Sequence, residues 1–293
     1  MASLAITCNA EGFSKEELKA FYSKVARRKV NKEADTWVFE NIVMALHNVS
    51  ALDQMSGDLE NKIPIVRSAI VAWYYAVYYA SSAMVAAASG SKQETHAATA
   101  KVWQRDIVNN KLVISPFNLS VDTLIEKQVK KDIESLRNGN DFQLVNTPNN
   151  QDEAWGALCG YVSGTADYEK WRTEERVRTS KDFKALNVEN FRTKEARELR
   201  DSKLESGFVN FLIQAFRYRG KANYRDSIYL SYGENREETI SNFVQDLRSV
   251  ATSYLAMACY YSARRVEKGT WECFAKDIKE NLVFPIDSEI YDI

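Results

Sequence analysis

Residues 216–240, FRYRGKANYRDSIYLSYGENREETI, hold the densest set of groups that could do chemistry. Arg217, Arg219, Lys221 and Arg225 fall within nine residues, with Tyr218, Asn223 and Tyr224 interleaved. Arginine offers a planar donor fork that matches phosphate, and tyrosine offers a face on which an unpaired base can stack. The set therefore reads as a phosphate or RNA site, with Arg217, Arg219, Lys221, Asn223 and Arg225 as contacts. The same residues admit a plainer reading. Arg219 and Arg225 could pair with Asp226, Glu234 or Glu237 and simply fix a helix junction, since surface ion pairs are common without function. The net charge of the 293-residue chain is -1, so any nucleic-acid surface must be a local patch.

Other chemistries lack their residues. No glycine-rich phosphate loop and no Gly-x-Ser-x-Gly elbow occurs. The two histidines, His47 and His96, have no Glu three residues before them, which excludes the helical di-metal carboxylate pattern. Cys8, Cys159, Cys259 and Cys273 are scattered, with no zinc spacing, which suits a reducing cytosol. No metal and no cofactor is expected. His47 reads as structural, and Cys259 and Cys273 read as buried thiols on apolar faces.

The elements that must position these groups are helical throughout. Only 11 Gly and 4 Pro interrupt a chain that is 45% hydrophobic and 27% charged. Ser14 and Glu17 form a capping-box pattern, as do Ser91 and Glu94. Pro64 can open a helix that stops near Gly90. From Ser68 to Ser91 that helix carries no charge and is long enough to span a bilayer. Its tyrosines cluster in the middle rather than at the ends, and apolar character on every side also describes the central helix of a bundle. No membrane segment and no signal peptide is expected. NNKLVISPFNLS breaks the pattern with paired Asn and Pro116, a further helix ends at Asn138-Gly139, and 139–152 reads as a linker. From Ala166 to Glu205, 11 basic and 10 acidic residues cancel one another, which predicts a helical, surface-lying excursion with a solvated face. The apolar pattern returns in GFVNFLIQAFRYRG, read as a helix ending at Gly220, where a turn could gather two or three of the arginines. Beyond it Ile240, Phe243, Leu247, Val250, Tyr254, Met257 and Tyr261 step by threes and fours as a core stripe. Gly269 ends that helix and Thr270 caps a last one.

The fold expected is an all-α bundle. Residues 1–60 supply N-terminal helices that pack on it, 61–138 its first half, 139–205 a charged insertion, and 206–293 its second half with a C-terminal helix.

Two segments resemble HEPN domains, the RNA- and nucleotide-associated helical bundles of prokaryotes. AWYYAVYYASSAMVAAASGSKQETHAATAKVW resembles their first helices, where a tyrosine-rich helix is followed by a Gly-containing turn and a Thr-His helix start. RYRGKANYRDSIYLSYGENREETISNFVQDLRSVATSYLAMACYY resembles their later part. The ribonucleases among them carry an Arg that steadies phosphate charge and, five positions on, a His that moves the ribose 2'-hydroxyl proton, paired across a dimer. The resemblance places Arg219 and Tyr224 in those catalytic positions, with Gly220 where a polar residue is usual. A phenol with a pKa of about 10 is a poor base near neutral pH. Tyr79 also stands where the family's tyrosine helix often has a His. His96 matches the Thr-His start, where a helix N-terminus disfavours its charge, and it reads as structural. The resemblance implies a cytoplasmic homodimer that binds RNA or a nucleotide. It would be a divergent, metal-independent ribonuclease of phage defence, toxin–antitoxin or stress response, or else a non-catalytic scaffold whose charged insertion docks a partner protein.

Overall fold

A computed structural model describes every residue except 11, 58–61, 145, 225–235 and 283, and describes 221–224, 236 and 237 through their backbone only. In chain order the helices are α1 Ala2–Ala10, α2 Lys15–Tyr22, α3 Lys32–Ser56, α4 Val66–Ser89, α5 His96–Trp103, α6 Glu126–Arg137, α7 Gln151–Thr179, α8 Lys181–Ala185, α9 Lys194–Glu205, α10 Phe211–Tyr224, α11 Arg236–Arg265 and α12 Thr270–Asn281. The expectation of an all-α bundle holds: among the described residues the β-structure is one isolated bridge, Val121 to Val209. The chain divides into two compact units, Met1–Asn118 with Ala215–Ile293, and Leu119–Gln214.

Six helix starts follow one rule, whereas α12 corrects the expected Thr270 cap: Gly269, in left-handed backbone, holds the N-cap position and Thr270 is the first helical residue. Ser14, Asn31, Thr95, Asn150, Ser180 and Thr193 each sit in extended backbone and accept a backbone N–H three residues on. Ser14 and Glu17 complete the expected capping box. The second expected box is corrected. Thr95, not Ser91, caps α5, because the chain leaves α4 through left-handed Gly90 and stays non-helical to Thr95. Pro64 opens a 3-10 turn that runs into α4. After Trp103 the helix loosens into a π-helical turn, Gln104–Val108.

In the first unit α3, α4 and α11 pack on one another, with α1 and α2 against α11 and α5 against α4. Ile42, Leu46 and Val49 of α3, Trp73, Val77 and Met84 of α4, and Leu247, Val250, Tyr254 and Met257 of α11 are all buried. Phe243 of the expected stripe is only half-buried, and Val244 takes the core position beside it. Inside this core the Ser81 hydroxyl donates to Val77 O and lies 2.6 Å from the Tyr254 hydroxyl. Among the described residues one helix, that containing α4, is long and apolar enough to cross a membrane, and 72% of its apolar window is buried inside the protein. Its uniform apolarity has a local cause, because α3 and α11 cover it. Arg265 closes the end of this bundle by donating to Ala26 O, Ala87 O and Ala88 O at 2.6, 3.2 and 2.8 Å, which satisfies carbonyls that the C-terminus of α4 leaves open. Cys259 is buried as expected, whereas Cys273 on α12 is exposed, a correction to the expected pair of buried thiols. The periodicity had placed Cys273 on an apolar face, but Trp271, Ala275 and Ile278 take the buried one.

The second unit is helical and carries its own small core of Val177, Phe183 and Ala196, packed by Leu186, Phe191 and Leu199. The unit is wider than the charged span 139–205, because Val129 and Ile133 of α6 are buried and α6 packs on α7. Its charges pair locally, as in Lys170–Glu126 at 2.6 Å and Arg172–Glu169 at 3.0 Å. The span expected to be a linker is packed in part. Arg137 Nη1 donates to Asp141 Oδ1 at 2.9 Å, and a Cβ on Gly156 would stand 2.8 Å from Asn140 O. Gly156→Ala is therefore expected to destabilise the protein by about 1–3 kcal/mol despite the better helix propensity of alanine. Thermal denaturation of the full chain checks this.

Candidate functional site

Four tyrosines of α4, at 74, 75, 78 and 79, have the spacing that puts residues four apart on one helix face. Tyr74 stacks on Tyr78 and Tyr75 on Tyr79, with ring centroids 6.2 and 5.9 Å apart. Tyr74 is buried and the other three are half-buried. Burial pushes the Tyr74 phenol well above its ordinary range, against the pull of Arg219, so it stays protonated.

His96 meets this face because Thr95 caps α5 and makes His96 its first residue. Its Nδ1 lies 2.8 Å from the Tyr74 hydroxyl, and its ring stands edge-on to Tyr78 with centroids 4.3 Å apart. Burial, and after it the Arg219 charge, lower the His96 pKa from its usual value. The imidazole is then neutral near pH 7, a state able to take up a proton.

Arg219 comes from α10, one turn after Phe216. Its guanidinium lies 4.8 Å from the Tyr74 ring centre, 5.3 Å from Phe216 and 5.8 Å from Tyr75. It also donates from Nη1 to the Tyr75 hydroxyl at 3.4 Å. Among the described residues no carboxylate pairs with it, and its buried Nε has no hydrogen-bond partner. Phe216, 38% exposed, leaves a ring open to solvent beside that charge. The result is a guanidinium held on aromatic faces, next to a neutral imidazole.

The structure thus brings Arg219 into the site. Arg217, two positions away, is half-buried. Lys221, Asn223 and Tyr224 belong to the last turn of α10, but their side chains, and Arg225 entirely, lie outside the described residues. The expected helix end at Gly220 is corrected. The helix runs through it to Tyr224, so no turn gathers the arginines there. His96, expected to be structural, bonds to Tyr74 and feels the Arg219 charge. Tyr74, Tyr75 and Phe216 were not anticipated as partners of Arg219. The signal that could have found them is the repeat of tyrosine at a spacing of four, which marks an aromatic face. Among the described residues no three His, Cys, Asp or Glu side chains converge as a metal site.

The lowered His96 pKa has a consequence for stability. A folded pKa below the unfolded value means that the unfolded chain binds more protons in that interval. Stability should therefore fall as the pH drops from about 7 through 6.5 to the folded pKa, and flatten below it. His96→Gln should remove that part of the slope, read from thermal midpoints measured across this range.

No protein-family model, curated protein or solved structure matches this chain.

Proposed function

We propose that this chain is an HEPN-like protein that binds single-stranded RNA at Arg219, and that its cleavage chemistry, free of metal, runs through His96 rather than Tyr224. The observation that carries the reading is the Arg219 guanidinium packed against three aromatic rings, one of them hydrogen-bonded to His96. A phosphate fits the guanidinium fork, and an unpaired base fits the exposed Phe216 ring. With Nδ1–H donating to the Tyr74 hydroxyl, the His96 ring is fixed as an acid–base group needs, and its Nε2, unprotonated at the lowered pKa, is free to accept the 2'-hydroxyl proton. The setting would be prokaryotic phage defence, toxin–antitoxin or stress response, with the protein acting in the cytoplasm as a homodimer.

The test is fluorescence anisotropy with a labelled single-stranded RNA, run at several salt concentrations, beside a cleavage assay in EDTA. Binding that weakens steeply with salt, with cleavage lost in His96→Gln while binding stays, supports the whole reading. Binding without cleavage supports the non-catalytic scaffold. Absence of binding at low salt overturns both the RNA site and the chemistry built on it.

A further inference from the structure

The first unit holds a concavity of about 590 Å³ that shares no residue with the Arg219 site. Its walls come from the turn after α2, the C-terminus of α4, the π-helical turn and the end of α11. π-Helical turns inside α-helices recur at functional sites, and here one supplies Asp106 to the wall. The volume is that of a small-molecule site.

The groups around the cleft divide by whether their bonding is already satisfied. Arg265 is held by three backbone carbonyls. Asp106 is gripped by both Nε and Nη2 of Arg105, at 2.5 and 2.7 Å. Tyr261 differs: it is 1% exposed, lines the cleft, and among the described residues no hydrogen bond meets its hydroxyl. Burial pushes its pKa up to about 12, with Arg265 pulling it down and Asp106 pushing it up, so it remains a neutral donor. At the rim Lys24 is exposed with no carboxylate partner among the described residues, and Phe21 leaves 43% of its surface open.

We infer that this cleft binds a small aromatic carboxylate, its ring against Phe21 and Leu112 and its carboxylate on the Lys24 ammonium and the Tyr261 hydroxyl. The ammonium supplies charge, the buried phenol a donor in want of an acceptor, and the open ring a stacking face. Lys24 and Arg265 against Asp106 leave the wall one net positive charge, which a monoanion balances better than a phosphate ester does.

The test is calorimetric titration of the full chain with 2-naphthoate, its neutral analogue 2-naphthamide, and adenosine monophosphate. 2-Naphthoate is expected to bind most tightly. Tyr261→Phe should weaken it about three- to tenfold, the loss of one hydrogen bond, with no loss of thermal stability because the hydroxyl has no protein partner. Lys24→Met should weaken it about three- to fivefold. Arg219→Ala should leave it unchanged. Equal affinity for the naphthamide, tighter binding of the nucleotide, indifference to both Tyr261→Phe and Lys24→Met, loss in Arg219→Ala, or no binding at millimolar 2-naphthoate would each overturn the assignment. None of these outcomes bears on RNA binding.

Discussion

Arg219→Ala should lower affinity for single-stranded RNA by roughly ten- to a hundredfold at moderate salt, and Arg219→Lys should recover little of it. The two variants separate charge from shape. A charge-assisted bond to phosphate is worth about 1.5–3 kcal/mol, and the alanine variant loses it outright. Lysine keeps the charge but gives up the planar fork and the flat face that lies on Tyr74, Tyr75 and Phe216. A lysine variant that binds as well as the native protein would mean that only the charge matters and that the aromatic packing is incidental. Salt titration adds a second measurement. Removing one phosphate contact should reduce the slope of log K against log salt by about 0.7 in the alanine variant and leave it nearly intact in the lysine one. Phe216→Ala should weaken binding by about 1–3 kcal/mol if a base stacks there.

Asp35→Ala should be among the most destabilising single changes outside the apolar core. Asp35 and Arg28 form an ion pair whose side chains are only 6% and 10% exposed. The second carboxylate oxygen accepts the Glu267 N–H at 3.2 Å, so one side chain ties the start of α3 to the chain just beyond α11. Truncation leaves the Arg28 guanidinium without its counter-charge in a desolvated place, which costs about 3–5 kcal/mol. For a chain of this size that is roughly a 6–20 °C drop in melting temperature, readable by calorimetry. Asp35→Asn should cost less, because it keeps an acceptor for the Glu267 N–H. The exposed pair Lys194–Glu198, at 3.8 Å, is the control, and breaking it should move stability by no more than about 0.5 kcal/mol. If both pairs cost the same, burial is not what gives the Asp35 pair its weight.

The helices were legible because helix formation is written locally, in caps and in apolar periodicity. Ser14 with Glu17, Pro64 before α4, and left-handed Gly90 after it all acted as their residue types require. Errors arose where two local signals competed or where tertiary packing outweighed one. Ser91 and Thr95 both satisfy the side-chain requirement for a cap, and only the departure of the chain from α4 decides between them. Gly220 reads as a stop, yet a glycine inside a helix costs only about 1 kcal/mol, which the packing of Tyr218 on Trp73 and of Arg219 on its rings can offset. The site was half legible for the same reason. Arg219 stood out through its neighbours in sequence. Its partners Tyr74 and His96 lie more than a hundred residues earlier, and nothing in local spacing joins them to it. The extent of the second unit was hidden as well, because the burial of α6 against α7 is a tertiary fact.

The discontinuity of the first unit bears on how the chain emerges from a ribosome. α3 and α4 are complete once residue 89 is made, but α11, which covers the remaining apolar side of α4, ends at residue 265. At about 5–20 residues per second, the intervening stretch takes roughly 10–35 s to synthesise. For that interval the most apolar helix of the protein lacks its final neighbour, while the second unit is translated and can close its own core. The order of elements along the chain thus sets a waiting period during synthesis, and a nascent α4 held in that state is the natural client of a chaperone.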